Sequence, residues 1–125
     1  MNFKTDTKEK FSVLSVESPH ITANLAAPLL DGIREAAAQP PHNVILKLEG
    51  VGKLDREVAE ALSVLRQELY ENQRSFVVCC LQETVAADVA AWEMEEALNL
   101  TPTESEAWDI VQMDEIEREF LAGEE

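Results

Sequence analysis

Two adjacent cysteines, Cys79 and Cys80, carry the most reactive side chains of this sequence. A catalytic thiolate needs an activating base such as histidine, and no histidine lies near this pair in the sequence. Neighbouring cysteines also have Cα atoms only about 3.8 Å apart, which disfavours normal disulfide geometry. We therefore interpret both as small core residues of a reduced compartment, and an enzyme that uses either thiol is a distant alternative.

The other candidate groups lack the spacing that a metal or cofactor site requires. His20 and His42 are isolated, without zinc-ligand spacing, and are interpreted as surface histidines without partners. Gly50 and Gly52 resemble the start of a dinucleotide fingerprint, but Asp55 occupies the third glycine position. Two acidic clusters are interpreted as solvated faces: Glu93, Glu95 and Glu96, and Glu115, Glu117 and Glu119. The sequence thus predicts no catalytic residue, no metal and no cofactor.

The charge of the chain restricts its partners. Its 125 residues include 25 acidic and 10 basic ones, for a net charge of -15. This balance argues against nucleic acid and against anionic membrane surfaces, which both attract basic proteins. No apolar run approaches the roughly 20 residues of a membrane span, and the N-terminus lacks a signal-peptide core. We expect a cytoplasmic protein with one domain over residues 1–125, because 46% hydrophobic residues suffice for a single core.

One stretch organises the chain, and it reads as strand, tight turn and helix. The β-branched run Asn43–Glu49 predicts a buried strand, and the two following glycines require unusual backbone angles or close approach. Asp55 is expected to cap a helix over Asp55–Asn72 by accepting a hydrogen bond from an early helical N–H. The apolar stripe of this helix consists of Val58, Leu62, Leu65 and Leu69. Because ligands and partners dock at the carboxyl ends of strands in α/β sheets, we expect the working surface around Gly52 to Glu60.

The rest of the chain alternates strands and helices. Further strands are predicted at Thr5–Glu9, Phe11–Val16, Ser75–Cys80 and Asn99–Thr101. Further helices are predicted at Asn24–Ala38, Thr84–Ala97 (capped by Thr84) and Thr103–Leu121 (capped by Thr103). This order predicts an α/β domain with a mixed β-sheet flanked by about four α-helices. Of the two tryptophans, Trp92 fits a core stripe and Trp108 is the better contact candidate.

The last helix carries two apolar faces that a single sheet cannot bury together. Ala107, Ile110 and Val111 share one face, and Met113, Ile116 and Phe120 share a nearly opposite one. We expect the first set to cover the core. The second set either folds back after a bend near Gln112, or forms a contact with a second copy or another protein. The part of this helix from about 112 to 125 is treated as a C-terminal extension.

Three stretches carry a family resemblance. They are the run from Val44 to Asp55 (VILKLEGVGKLD), the strand Phe76–Cys79, and the segment Pro102–Ala107 (PTESEA). Together with the element order they resemble the STAS domain of bacterial anti-sigma-factor antagonists over roughly Phe3 to Val111. In detail the chain resembles the small stand-alone STAS proteins of Bacteroidetes-type bacteria. The resemblance implies a regulator of transcription that binds a kinase-like anti-sigma factor and is switched by phosphorylation of a serine or threonine.

The switch residues depart from that family pattern. Where the family has Asp-Ser-Ser-Gly or a close variant, this chain has Asp55-Arg56-Glu57-Val58, so Arg56 occupies the position of the phosphorylated residue. A guanidinium does not accept phosphate from a Ser/Thr kinase, and the nearest hydroxyl is Ser63. The sequence therefore predicts a non-enzymatic protein-interaction module without the usual switch; the alternative is a small-ligand or nucleotide sensor using the same crevice. The predicted partner-binding residues are Lys53, Asp55, Arg56, Glu57 and Glu60, and a homodimer through Met113, Ile116 and Phe120 is also considered.

Overall fold

The structure is a computed structural model, and it describes residues 1–123. Within this range the chain forms five strands and four α-helices, with a short 3-10 helix (Ala23–Leu25) before the first of them. In chain order the elements are β1 (Lys4–Thr7), β2 (Ser12–Ser18), α1 (Ala26–Ala38), β3 (Val44–Val51), α2 (Arg56–Glu71), β4 (Phe76–Cys79), α3 (Glu83–Ala91), β5 (Leu100–Thr101) and α4 (Glu104–Gly123). The predicted α/β class and the order of elements are confirmed.

The five strands form one mixed sheet with the order β1-β2-β3-β4-β5. β1 pairs with β2 in antiparallel orientation, and the other neighbours are parallel. β3 is the central strand, and its Leu46 lies opposite Leu14 of β2 and Val78 of β4. Because helices cover both faces of such a sheet, β3 can be almost continuously apolar, and Val44 and Ile45 are fully buried.

The two faces of the sheet have different partners. The larger core lies on the face covered by α1, α2 and α3, where the stripe of α2 and Val85 and Val89 of α3 are buried. The smaller core lies under α4 and contains Ile45, Ala107 and Val111. Alternate residues of a strand point to opposite faces, so Ile45 faces α4 while its neighbours face the larger core. The helix α4 therefore stands alone on its side of the sheet.

The ends of two helices differ from the prediction. α3 ends at Ala91 instead of Ala97, and its N-cap residue is Gln82, so Thr84 is not the cap. The chain leaves α3 through residues in the left-handed region, Glu93 (φ 56°) and Asn99 (φ 53°), which local periodicity does not indicate. α2 ends at Glu71, one residue before the predicted end at Asn72, and Gln73 after it is in the left-handed region (φ 62°).

The helix α4 is uninterrupted, so the alternative in which its second apolar face folds back is wrong. Thr103 accepts a hydrogen bond from the Glu106 N–H (3.2 Å), which confirms its role as a cap. Trp108 packs against Phe11 with ring centroids 5.2 Å apart, so it belongs to the smaller core and is not a free contact residue. Residues 124 and 125 of the predicted C-terminal extension lie outside the described residues. No helix within residues 1–123 is both long and apolar enough to cross a bilayer.

A polar network ties α4 to the amino-terminal edge of the parallel strands. Asn43 accepts a hydrogen bond from the Ser75 N–H (2.9 Å) and donates one to Glu115 (2.7 Å). The Ser75 hydroxyl donates to Asp114 (2.7 Å) and accepts from Arg118 (2.7 Å). Glu115 therefore has a structural partner, and its interpretation as part of a solvated face is wrong.

Candidate functional site

The end of β3 and the turn after it lie directly against the end of β2 and the loop that follows it. A Cβ atom on Gly50 would come within 2.6 Å of the Glu17 side chain, and one on Gly52 within 2.8 Å of the Pro19 carbonyl oxygen. Neither glycine has a positive φ. Of the two expected reasons for these glycines, close approach is therefore confirmed and unusual backbone angles are wrong.

Backbone hydrogen bonds join the same two loops. The Ile21 N–H donates to the Lys53 carbonyl (2.8 Å), and the Asp55 N–H donates to the Ile21 carbonyl (3.0 Å). Ile21 and Leu54 form a short parallel bridge, and both side chains are buried. The buried side chains of Ile21 and Leu54 hold the segment that leads into α2. The first residues of α2 therefore have a defined position.

The Asp55 carboxylate stabilises this junction from outside the helix. Asp55 is the N-cap residue of α2, but its side chain makes no capping hydrogen bond, so that part of the prediction is wrong. One oxygen lies 2.6 Å from His20 Nε2, and the other accepts a hydrogen bond from the Ala23 N–H (3.0 Å). These two bonds, the one from His20 first, hold the pKa of Asp55 below its ordinary value of 3.8. His20 thus has a partner, in contrast to the prediction.

The other predicted site residues form an exposed charged row that begins just before α2 and continues over its first turns. Lys53, Arg56, Glu57 and Glu60 are all exposed, and Arg56 Nε lies 3.5 Å from Glu60 Oε1 in an i,i+4 pair. Both side chains of this pair are about 60% exposed (60% and 59%), so the pair itself adds little stability. The structure thus brings together the predicted residues and presents four of them to solvent. We call these four residues the α2 row.

Sequence reasoning missed Val64, one turn beyond Glu60. Its side chain is 69% exposed. The sequence could have indicated this exposed apolar residue, because Val64 lies outside the buried stripe of α2. Its neighbour Ser63 is half-buried, and its hydroxyl donates to the Glu60 carbonyl at 2.7 Å.

The Cys79 thiol is unsuited to nucleophilic attack. Cys79 is fully buried in the smaller core, and burial raises the pKa of its thiol well above the ordinary value. The Cys80 sulfur lies 3.5 Å from that of Cys79, and both cysteines are free. His42 lies apart from them and donates a hydrogen bond to the Ala37 carbonyl (2.9 Å). The interpretation of Cys79 as a core residue is confirmed.

Two grooves of the described residues lie away from the α2 row. A groove of about 590 Å³ opens between the end of α2 and α4, lined among others by Tyr70, Glu71 and Arg118. A smaller one next to it is lined by Arg66, Arg74 and other residues at the amino-terminal edge of the sheet. Neither groove is lined by residues of the α2 row.

Solved structures of other proteins share this fold. The chain is similar to an anti-sigma factor antagonist from Mycobacterium paratuberculosis, with 20% identity, a TM-score of 0.75, and 89% of this chain and 93% of that one covered. It is also similar to a STAS domain protein from Planctomyces limnophilus, with 17% identity, a TM-score of 0.70, and 87% and 96% covered. The murine solute carrier 26 anion transporter contains the same fold, with 14% identity, a TM-score of 0.68, and 86% of this chain but only 18% of that one covered. These likenesses concern the fold alone.

The family is established by the sequence. No curated protein matches this chain. The family model of the STAS domain, in contrast, matches residues 2–107, which include the sheet, α1 to α3 and the beginning of α4. The chain therefore belongs to the STAS domain family.

Proposed function

We propose that this protein is a non-enzymatic regulatory module that binds a protein partner through the α2 row. The observation that carries the proposal is the position of that row. Four charged side chains stand exposed at the carboxyl-terminal edge of the sheet, on a junction anchored by Ile21, Leu54 and the Asp55 bonds. A preorganised surface loses less conformational entropy on association than a mobile one. In this proposal Asp55 positions the row, because both of its oxygens are already engaged.

The kind of partner follows from the family and from the surface chemistry. One of the similar structures is described as an anti-sigma factor antagonist, and this supports a regulatory protein as the partner. Arg56 and Glu60 offer both signs of charge to it, and Val64 offers an apolar contact one turn further along α2. Charged rows of this kind select partners and orient them, while a buried apolar contact supplies more of the affinity. We propose that the protein acts in the cytoplasm.

We further propose that the module is not switched by phosphorylation at the usual turn. Arg56 carries a fixed positive charge at the first position of α2, where a phosphorylated family member would carry a negative one. The segment from Gly52 to Glu60 contains no hydroxyl side chain. Ser63 would have to give up its bond to the Glu60 carbonyl before it could accept phosphate.

The test is capture of the partner with charge reversal of the α2 row. The native chain and the variant Lys53→Glu/Arg56→Glu are crosslinked in a native lysate, and the captured proteins are identified by mass spectrometry. We expect a regulatory protein that the native chain captures and the variant loses. After incubation with ATP, peptide mass mapping of the captured chain should find no phosphate between Gly52 and Glu60.

The matched control is Lys10→Glu. Lys10 is also exposed, and it lies just before β2, away from the α2 row. This substitution changes the net charge in the same direction and should leave capture intact. If the double variant captured the same proteins as the native chain, the α2 row would not be the contact surface. Phosphate on Ser63 together with loss of capture would show instead that the switch has moved about two turns into α2.

The alternative, a small ligand or nucleotide in the same crevice, stays a prediction. A ligand that binds the folded state raises the melting temperature by mass action. A thermal-shift screen with nucleotides therefore separates the two proposals, because the protein-interaction proposal expects no shift that depends on Lys53 or Arg56.

A further inference from the structure

A row of large apolar side chains lies exposed on the outer face of α4. Met113 is 67% exposed, Ile116 65% and Phe120 65%. The opposite face of α4 is the one that covers the sheet, through Ala107 and Val111. Leaving three large apolar side chains in water forgoes roughly 1.5–3 kcal/mol each relative to full burial. The row is thus unexplained by the packing of residues 1–123.

The spacing of this row is that of a short coiled-coil seam. Met113, Ile116 and Phe120 follow one another at intervals of three and four residues, which corresponds to heptad positions a, d and a. With this assignment Glu117 occupies position e and Glu119 position g, and both side chains are exposed. The seam is about two turns long, because Asp109 precedes it and Gly123 follows at the next d positions. We call the following five residues the α4 seam: Met113, Ile116, Glu117, Glu119 and Phe120.

The charges at positions e and g argue against a second copy of this chain. In a parallel pair, position g of one helix faces position e of the other; in an antiparallel pair, like positions face each other. In a parallel pair of copies Glu117 faces Gln112, and in an antiparallel pair each glutamate faces the same glutamate of the other copy, so neither arrangement gives Glu117 a basic partner. Arg118 is the one basic residue of α4, and it bonds to Ser75 on the sheet side, so it cannot compensate. The net charge of -15 adds to this repulsion.

The same charges favour a basic helix. Lysine or arginine at positions e and g of a partner would pair with Glu117 and Glu119, while apolar residues at its a and d positions would cover Met113, Ile116 and Phe120. Glu117 and Glu119 form no ion pair with the part of the chain that the structure describes, so they are available to such a partner.

The α4 seam is separate from the α2 row. The helices α2 and α4 cover opposite faces of the sheet, and α4 points its seam away from the sheet. The seam also lies beyond residue 107, where the match to the STAS family ends. Both surfaces can therefore be occupied at the same time.

We propose that the α4 seam is a second docking surface, and that its partner is a basic amphipathic helix with an apolar a/d stripe flanked by lysine or arginine. The seam gives such a helix three apolar contacts and two charge pairs over two turns. A module with two independent surfaces would bring two proteins together on opposite sides of one small domain.

The test uses two labelled peptides of about three heptads, both with leucine at a and d. One peptide carries lysine at e and g, and the other carries glutamate. Binding to the full chain is measured by fluorescence anisotropy. We expect the native chain to bind the lysine peptide at least about tenfold more tightly than the glutamate peptide. The variant Ile116→Ser/Phe120→Ser should weaken binding of the lysine peptide about tenfold or more.

Three further variants separate the seam from general attraction of a cation to an acidic protein. Val64→Ser removes an equally exposed apolar side chain on the other side of the sheet and should leave peptide binding unchanged. Arg56→Glu should also leave it unchanged, so failure of the α2 row and failure of the seam are distinguishable. Glu117→Lys/Glu119→Lys should reverse the preference toward the glutamate peptide.

Several results would overturn the proposal. One is equal binding of the lysine peptide by the native chain and by Ile116→Ser/Phe120→Ser, which would indicate charge attraction alone. Another is absence of peptide binding by the native chain. A third is a native dimer, seen by sedimentation, that the same double variant converts to a monomer, which would assign the seam to a second copy.

Discussion

At the scale of single residues, the pair of His20 and Asp55 has the most defined role. Asp55 immediately precedes α2, but its carboxylate oxygens bond to His20 and to the Ala23 N–H, in the segment before α1. The result is a link between two loops that are both at the carboxyl-terminal edge of the sheet. Such a link sets where α2 begins, and therefore where Arg56 and the other residues of the α2 row stand.

The pKa of Asp55 gives a direct measure of this link. It lies below 3.8 chiefly because of the hydrogen bond from His20, so His20→Ala should raise it toward that value. A depressed folded-state pKa means that the carboxylate stabilises the fold above its unfolded pKa and that this stability is lost as the pH falls through the folded pKa. The acid-induced loss of unfolding free energy that Asp55 contributes should thus be smaller in His20→Ala. The measurement is a carboxyl-carbon NMR titration combined with urea unfolding.

His42→Ala is the matched control, because it removes a histidine whose hydrogen bond goes to the Ala37 carbonyl, away from this junction. It should leave the titration of Asp55 unchanged. An Asp55 pKa that did not respond to His20→Ala would mean that His20 does not hold the carboxylate.

At the scale of elements, α4 combines two tasks on two faces. Its inner face closes the smaller core and reaches the network around Asn43 and Ser75. Its outer face carries the α4 seam. The network fixes the rotation of α4 about its axis, and this rotation keeps Ile116 directed to solvent. The hydrogen bonds on the inner face of α4 therefore determine which residues its outer face presents to solvent.

Removal of Asn43 should destabilise the whole domain. Asn43 is 2% exposed and accepts the hydrogen bond of the buried Ser75 N–H, so Asn43→Ala leaves that N–H without its partner. We expect a loss of about 1–3 kcal/mol in the free energy of unfolding, measured by urea denaturation. Asn24→Ala, at an exposed asparagine, should change it by less than about 0.5 kcal/mol. Equal effects of the two substitutions would contradict a structural role for the network.

At the scale of the whole molecule, the net charge of -15 is the dominant property. The two proposed surfaces sit on a strongly acidic body, which attracts basic partners from a distance and repels other copies of the chain. The same charge destabilises the compact fold through self-repulsion. Screening of this repulsion should be visible in the stability of the protein.

We expect the melting temperature to rise with salt. The screening length falls from about 30 Å at 0.01 M to about 8 Å at 0.15 M ionic strength, so repulsion across the domain is largely removed. Thermal unfolding followed by circular dichroism over this range, in sodium chloride and in potassium chloride, is the measurement. Similar rises in both salts are expected from screening. A melting temperature that fell with salt would show that attractive ion pairs, such as the one between Lys47 and Glu104, outweigh the repulsion.

Much of this fold was predictable because local patterns report local structure. The β-branched run at Val44–Leu48, the stripe of α2 and the cap at Thr103 each act within a few residues, and the structure confirms all three. The burial of β3 also followed from its composition, since a strand that is almost continuously apolar is usually covered on both faces. That Arg56 cannot accept phosphate from a Ser/Thr kinase needed no structure, because it follows from the residue type.

Contacts between distant residues could not be predicted in this way. His20 and Asp55 are 35 positions apart, and Asn43 and Glu115 are 72 apart, so their pairing depends on which strands lie side by side. Side-chain periodicity indicates which face of an element is buried, but it does not indicate which polar group of a neighbouring element will form a hydrogen bond with it. The order of elements, the family and the two apolar faces of α4 could all be predicted from the residues alone. The bonds of Asp55 outside its helix and the exposure of Met113, Ile116 and Phe120 could not, because both depend on how the helices pack against the sheet.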